Sequence, residues 1–221
     1  MSLLIRIVVT IGVIFFGMSA SLVFAKVTFG DDKASLQRGA AFFMDYCSGC
    51  HALKYMRINQ LVRDLGLTSR ENVIDKKLFF NHLLITHAQS YDSLRVSMPS
   101  DEAREWFGVS PPDLSLVARV RTPAWIERYL KNFYSDSSRP FASNNVLVTN
   151  SGMPNILLPL ESEMSPAELD SVLHDLVYFL DYVAEPDRKN RYLIGICVLL
   201  FLNVFLMVVL ILYRHRGTNL W

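Results

Sequence analysis

Cysteine is scarce in this sequence, which contains only three in 221 residues. Cys47 and Cys50 form the one close pair, and Cys197 lies in an apolar segment near the C-terminus. A scaffold stapled by disulfides would need more cysteines and an even number of them. The scarcity excludes a disulfide-rich extracellular module. Because Cys197 lies within an apolar segment, we predict that it packs as a small apolar residue. The close pair must therefore be explained by its own chemistry.

An excess of charge of one sign is also lacking. The 22 lysines and arginines nearly balance the 21 aspartates and glutamates, which gives a net charge of +1 at pH 7. Surfaces that bind nucleic acid carry a clear basic bias, so no nucleic-acid partner is expected. The chain also lacks internal repeats, low-complexity linkers and clear strand patterns. These absences predict one domain made mostly of helices and loops.

Long apolar runs occur only near the two ends of the chain. Residues 5–25 contain Arg6, then an apolar run, then small residues that lead to Ala25. This order is typical of a secretory signal peptide. We therefore predict that residues 1–25 are a signal peptide cleaved after Ala25. An uncleaved membrane anchor is the alternative.

The second apolar run, residues 193–213, holds 21 residues without a charge. As a helix it would be about 30 Å long, which matches the hydrocarbon core of a bilayer. This length predicts a single transmembrane helix. Basic residues flank both of its ends, so the positive-inside rule does not orient it. The predicted signal peptide does, because it exports residues 26–190 and leaves residues 214–221 in the cytoplasm.

Helical periodicity is clear in three places. Apolar side chains recur at helical spacing over residues 35–46 and over residues 123–133. The third helix is predicted from Ser165 to about Ala184. Its start has the sequence of a capping box, with Ser165 as the N-cap and Glu168 three positions later.

The sequence Cys47-Ser48-Gly49-Cys50-His51 is the attachment signature of a c-type haem. Two thiols three positions apart on a helical turn can reach the two vinyl groups of one porphyrin edge, and the adjacent histidine can bind the iron. A thioredoxin-like pair would open a βαβ unit, which is not visible here. A structural zinc site would need further Cys or His ligands. We therefore predict one covalently bound haem c, with His51 as an iron ligand.

The second axial ligand is not fixed by spacing alone. Met153 is favoured because Gly152 lets the backbone approach closely and Pro154 stiffens the loop. Met98, which also precedes a proline, is the runner-up, while His215 is excluded by the predicted cytoplasmic tail. His82 and His87 could face the haem, but no pattern marks them, and His174 on the third predicted helix is expected to be a surface or packing residue. A Met/His pair would raise the haem potential and leave no open coordination position, which favours electron transfer.

Four segments together resemble cytochrome c1, the haem-c subunit of quinol–cytochrome c reductase (the cytochrome bc1 complex), in its proteobacterial form. The resemblance covers residues 33–216, and its order is more specific than the haem motif alone. The four segments are residues 38–55 with CSGCHALKY, 106–121 with WFGV and PPDLS, 133–154 with Asn144-Asn145 and Gly152-Met153-Pro154, and 175–186 ending in Ala184-Glu185-Pro186.

The resemblance implies roles for individual residues. It implies that Met153 is the distal iron ligand and that Arg121 pairs with a haem propionate. It also implies that Pro112, with Pro111, walls the haem near His51. The chain departs from the family pattern at Ser151, where a bulkier apolar residue is expected.

The resemblance also implies a function, a mainly α cytochrome c-like haem domain with long loops, and one C-terminal transmembrane helix. The haem would accept electrons from a Rieske iron–sulfur protein and pass them to a periplasmic c-type cytochrome, while the helix packs against cytochrome b in the bacterial inner membrane. The complex is an oxidoreductase, but this subunit needs no acid–base or nucleophilic residue of its own. The alternatives are a freestanding membrane-anchored cytochrome c, a subunit of another respiratory complex, a haem sensor or peroxidase, and a thiol–disulfide module.

Overall fold

The computed structural model describes residues 32–67, 91–95 and 98–218. The predicted signal peptide and the candidate ligands His82 and His87 lie outside the described residues. Residues 32–185 form one compact unit, and the helix that follows Pro186 belongs to a second.

The first unit is mainly helical, which confirms the predicted fold class. Two short antiparallel strand pairs, β1 with β2 and β3 with β4, supplement the helices. The described elements are α1 (Lys33–Tyr46), β1 (Leu53–Arg57), α2 (Ile58–Asp64), β2 (Ser93–Leu94), α3 (Ser100–Phe107), α4 (Val117–Arg121), α5 (Pro123–Lys131), β3 (Phe133–Ser135), β4 (Ser143–Asn145), α6 (Leu158–Glu163) and α7 (Pro166–Ala184).

The predicted helices are present, with one difference at a boundary. The capping box forms at the start of α7, where Ser165 and Glu168 cap each other's backbone N–H groups. The helix predicted over residues 123–133 ends at Lys131 instead. Phe133 enters β3 because it pairs there with Asn145 of β4.

The core forms where α1 crosses α7. Gly39 makes this crossing close, because a Cβ at that position would lie 2.0 Å from the Asp175 carbonyl oxygen. Phe43 and Phe179 fill the space beside it with ring centroids 5.6 Å apart, and both are almost completely buried. The helix that leads to the haem motif is thus fixed on the longest helix of the domain.

Hydrogen bonds and an ion pair also stabilise the crossing of α1 and α7. The buried carboxylate of Asp175 accepts hydrogen bonds from the Ser35 hydroxyl and from Arg38, whose Nε lies 2.6 Å away. Burial alone would raise the pKa of Asp175, but the hydrogen bonds from Arg38 and Ser35 outweigh it and lower the pKa. Asp175 is therefore charged at neutral pH and fixes the register of the two helices.

The second unit contains α8 (Arg188–Thr218), the one helix in the described part of the chain long and apolar enough to cross a membrane. This finding agrees with the predicted single C-terminal span. The amide of Asn203 donates to the Leu199 carbonyl oxygen at 2.8 Å. The polar group is therefore satisfied within the helix itself, as a segment surrounded by lipid requires.

Candidate haem site

The attachment motif continues the last turn of α1. Backbone N–H groups of Cys47 and Ser48 both donate to the Phe43 carbonyl oxygen, and the His51 N–H donates to the Cys47 carbonyl oxygen at 2.8 Å. The Ser48 hydroxyl also donates to the Met44 carbonyl oxygen. Both thiols and the imidazole therefore lie on one tight turn anchored to a packed helix.

The orientation of His51 is set by a backbone carbonyl. Its Nδ1 lies 2.7 Å from the carbonyl oxygen of Pro112. A carbonyl can only accept, so Nδ1 carries the proton and donates, which leaves the lone pair on Nε2. Burial lowers the pKa of His51, although the Pro112 carbonyl and Asp113 oppose this in part. A neutral imidazole with a free Nε2 is the form that binds a metal.

Hydrogen bonds of residues 113–115 hold the Pro112 carbonyl group in place. The Leu114 N–H donates to the Ala52 carbonyl oxygen, immediately after the motif. The carboxylate of Asp113 accepts from the N–H of Lys54 at 2.8 Å and from the N–H of Ser115 at 3.0 Å. Pro112 is thereby fixed beside His51; its role as a wall of the haem stays a prediction. Asp113 is a positioning residue that the sequence reasoning missed.

Both thiols of the motif are free. Cys47 is buried, and this burial, with a smaller effect of Cys50, raises the pKa of its thiol to about 12. Burial also raises the pKa of Cys50. A redox-active pair needs a stabilised thiolate in at least one position. The environment of this pair therefore does not favour thiol–disulfide exchange.

Met153 lies in the loop between β4 and α6, half-buried against the hydrophobic core. The preceding residue, Gly152, packs under the end of α3, since a Cβ there would lie 2.6 Å from the Phe107 carbonyl oxygen and 2.9 Å from Val109. The close approach predicted for Gly152 is therefore a backbone contact with the segment around residues 107–109.

The Met153 loop is held by buried amides on β4. The Oδ1 atom of Asn144 accepts from three backbone N–H groups, those of Asn145, Asn150 and Ser151, at 2.9, 2.9 and 3.4 Å. The neighbouring Asn145 donates to the Tyr129 carbonyl oxygen at 2.7 Å. An unpaired buried N–H costs about 1–3 kcal/mol, so these amides fix the path of the loop. The two asparagines belong to the segments that carry the family resemblance, but the sequence alone predicts no role for them.

Two further side chains reach this loop. The hydroxyl of Tyr129 lies 2.8 Å from Ser151 Oγ. One guanidinium nitrogen of Arg139 donates to the carbonyl oxygens of Asn150 and Ser151 at 2.9 and 3.3 Å. The Nε of Arg139 is buried without a hydrogen-bond partner among the described residues.

Arg121 ends α4 and is exposed, with its guanidinium carbon 5.1 Å from the centroid of the Trp125 ring. Trp125 stacks on Tyr129 at 5.1 Å with an interplanar angle of 11°. Arg121 is therefore connected to the Met153 loop by a row of contacts that runs through Trp125, Tyr129 and Ser151.

The structure brings four of the predicted site residues together directly, namely Cys47, Cys50, His51 and Pro112. Arg121 and Met153 are connected only through the row of contacts. The candidate ligand His174 is exposed and lies beside Asp175.

The donor set fits a covalent haem rather than a metal held by the protein alone. In the described part of the chain, no group of three or more His, Cys, Asp or Glu residues could hold a metal ion. His51 offers one free nitrogen and the two thiols are unpaired. One axial nitrogen and two thiols on a single turn are what haem attachment requires.

A helix-borne haem-attachment turn and a separate membrane-length helix define a membrane-anchored c-type cytochrome. The profile described as "Cytochrome C1 family" matches residues 23–220. The chain therefore belongs to the cytochrome c1 family.

Individual relatives agree with this family. The chain is 40% identical over 211 residues to cytochrome c1 of Allochromatium vinosum, which covers 83% of this chain and 84% of the relative. It is 27% identical to cytochrome c1 of Rhodospirillum rubrum, over 82% of this chain and 80% of the relative. It is also 36% identical to a Nitrosomonas europaea protein named ammonia monooxygenase gamma subunit, over 77% of each chain.

Family membership confirms the predicted cofactor and the general function. The chain carries covalently bound haem c and is an electron-transfer haem subunit of the cytochrome bc1 complex, with a single-pass membrane anchor. The cytochrome bc1 complex to which this family belongs is an oxidoreductase.

Proposed function

We propose that this subunit accepts electrons from the Rieske iron–sulfur protein and delivers them to a periplasmic c-type cytochrome. The observation that carries the proposal is the geometry of His51, whose Nδ1–H is bound by Pro112 so that Nε2 is free for iron. Bound haem c supplies one-electron redox chemistry at its iron. The chain's own residues would bind this group and orient it for electron transfer.

Cys47 and Cys50 are proposed to form the thioether bonds, and His51 and Met153 to be the axial ligands. Met98 is the competing ligand. It lines a cavity with Pro111 and Asp113, the two neighbours of Pro112. Met153 is preferred because it lies in the Gly152-Met153-Pro154 segment that carries the family resemblance.

Two more residues complete the proposed site. The guanidinium of Arg121 is exposed at the end of the row that leads to Met153. It can offer paired N–H donors to a haem propionate. Pro112 is proposed to wall the haem beside His51, because its carbonyl oxygen already contacts that imidazole.

The orientation in the membrane is part of the same proposal. Residues 1–25 would direct export as a cleaved signal peptide, the haem domain would lie in the periplasm, and the tail 214–221 would lie in the cytoplasm. α8 would hold the domain in the inner membrane against cytochrome b. Its polar side chain Asn203 is satisfied internally, so the helix can be placed against apolar neighbours.

The first experiment is to purify the affinity-tagged full chain from its own membranes in mild detergent. Pyridine haemochrome spectra should show haem c together with haem b, and the preparation should reduce an added c-type cytochrome with quinol. Haem c alone, without that activity, would contradict the proposal. Ammonia monooxygenase subunits in the preparation would instead favour the role named for the Nitrosomonas relative.

A second experiment tests the ligand. Replacing Met153 with leucine should abolish the long-wavelength charge-transfer band that sulfur ligation gives to ferric haem c. Met98→Leu is the matched control and should leave the band intact. The reverse pattern would assign the sulfur ligand to Met98.

A further inference from the structure

A hydrogen-bonded pair lies directly behind the Met153 backbone. The Tyr129 hydroxyl is 2.8 Å from Ser151 Oγ. The same Ser151 oxygen accepts the N–H of Met153 at 3.2 Å. A serine hydroxyl can accept two hydrogen bonds while donating one, so a single buried oxygen joins the phenol to the backbone of the proposed ligand.

Tyr129 is rigidly placed for this contact. Its ring stacks on Trp125 on one side and meets the edge of Phe133, 5.2 Å away, on another. Its backbone carbonyl accepts from the buried Asn145 side chain. Burial raises the pKa of Tyr129 although the bond to Ser151 partly opposes this, so the hydroxyl stays protonated at neutral pH. The phenol is therefore a fixed point in the domain.

The backbone of residues 151–152 is held close to the Tyr129 hydroxyl by contacts with other elements. Gly152 lies against the Phe107 carbonyl oxygen with no room for even a Cβ. The Ser151 N–H is also bound by Asn144. The backbone before Met153 is thus enclosed between α5, the end of α3 and β4. An apolar side chain at position 151 would make neither of the hydroxyl contacts.

We propose that Tyr129 and Ser151 are positioning residues that hold the Met153 sulfur in place as an axial ligand. The inference rests on the proposed function, in which Met153 binds the iron. Neither hydroxyl touches the reacting atoms; each acts through the backbone that carries the ligand. Loss of the pair should shift the equilibrium between bound and displaced methionine by about 2- to 10-fold, the effect of one buried hydrogen bond.

The test uses the full chain in mild detergent, with its haem attached and oxidised. Imidazole is titrated against the sixth coordination position, and the sulfur-to-iron charge-transfer band is followed. Tyr129→Phe removes one oxygen and keeps the ring stacking, while Ser151→Ala removes the shared oxygen. Tyr134→Phe is the matched control, because Tyr134 is 45% exposed in the adjacent strand.

Each single variant of the pair should bind imidazole about 2- to 10-fold more tightly than the parent protein. The double variant should bind it no more tightly than Ser151→Ala, since both changes remove the same bond. Ser151→Thr keeps the hydroxyl and should restore most of the parent affinity, and Tyr134→Phe should match the parent.

Three results would overturn the inference, and the first two can be told apart. If Tyr129→Phe titrates like Tyr134→Phe while Met153→Leu abolishes the charge-transfer band, the methionine is the ligand but the pair does not position it. If Met153→Leu leaves the band intact, the ligand assignment fails and the positioning role fails with it. Additive effects in the double variant would also contradict a shared bond.

Discussion

The two sides of the proposed haem site, the histidine side around His51 and the methionine side around Met153, are built in different ways. On the histidine side, five consecutive residues on one helical turn carry all the attachment chemistry, and a backbone carbonyl of Pro112 orients the ring. On the methionine side, one residue lies in a long loop that depends on buried amides and hydroxyls from other elements. Local sequence thus defines the histidine side, and contacts between distant parts of the chain define the methionine side. We therefore expect different substitutions to abolish haem attachment and methionine ligation.

The largest expected effect separates attachment from ligation. Replacing Cys47 and Cys50 together with serine should abolish covalent haem completely, because attachment depends on the histidine side alone. Met153→Leu should keep the haem bound through denaturation. Haem staining of a denaturing gel measures both, with Cys197→Ser as the control. Loss of covalent haem in Met153→Leu would show that attachment also needs the methionine side.

Removing the Asn144 side chain should weaken the methionine side more than a comparable change weakens the histidine side. Asn144→Ala leaves three backbone N–H groups without their acceptor, and two of them, those of Asn145 and Ser151, are buried. We expect the free energy of unfolding to fall by about 3 kcal/mol. Asp113→Ala removes an acceptor of two N–H groups at a partly exposed position, where water replaces it, and should cost about 1 kcal/mol. Denaturant unfolding compares the two; equal losses would contradict the distinction.

The next effect concerns the helix that supports the histidine side. Gly39→Ala places a Cβ against the Asp175 backbone, which cannot move aside without separating α1 from α7. We expect a loss of about 1–3 kcal/mol in unfolding free energy. Gly49→Ala is the control, because nothing lies within 4 Å of a Cβ at that position. Its effect should stay within about 0.5 kcal/mol, and a similar loss at both glycines would argue against the close crossing.

The smallest effect is a pH dependence of the same crossing. The pKa of Asp175 is lowered in the folded protein, so the carboxylate adds stability above its ordinary pKa of 3.8, and this stability is lost as the pH falls through the lower folded value. Asp175→Asn should therefore be less stable than the parent at neutral pH, with the difference shrinking below pH 3.8. Because Arg38 is 59% exposed, we expect a difference of only about 1 kcal/mol. A difference independent of pH would contradict a charged Asp175.

The contrast between the two sides also explains what the sequence could predict. The haem motif, the membrane helix and the capping box at Ser165 are local patterns, and the structure or the family confirms the haem, the span and the helix. The role of Asn144 could not be read from the sequence, because an amide in a turn-rich segment usually lies in solvent. Only the fold shows that β4 buries it. The loop composition already favours Met153 over Met98, and the resemblance then implies Met153 as the ligand.

The crossing of α1 and α7 also bears on the order in which the protein matures. Ser35 and Asp175 are separated by 140 positions, so α1 cannot complete its packing until nearly the whole domain has been synthesised. Contacts this distant in sequence slow folding, because loop closure must precede them. Cys47 is only 8% exposed in the folded domain. We therefore expect haem attachment to be easiest before α1 has docked on α7, so that the timing of folding limits the time available for attachment during biogenesis.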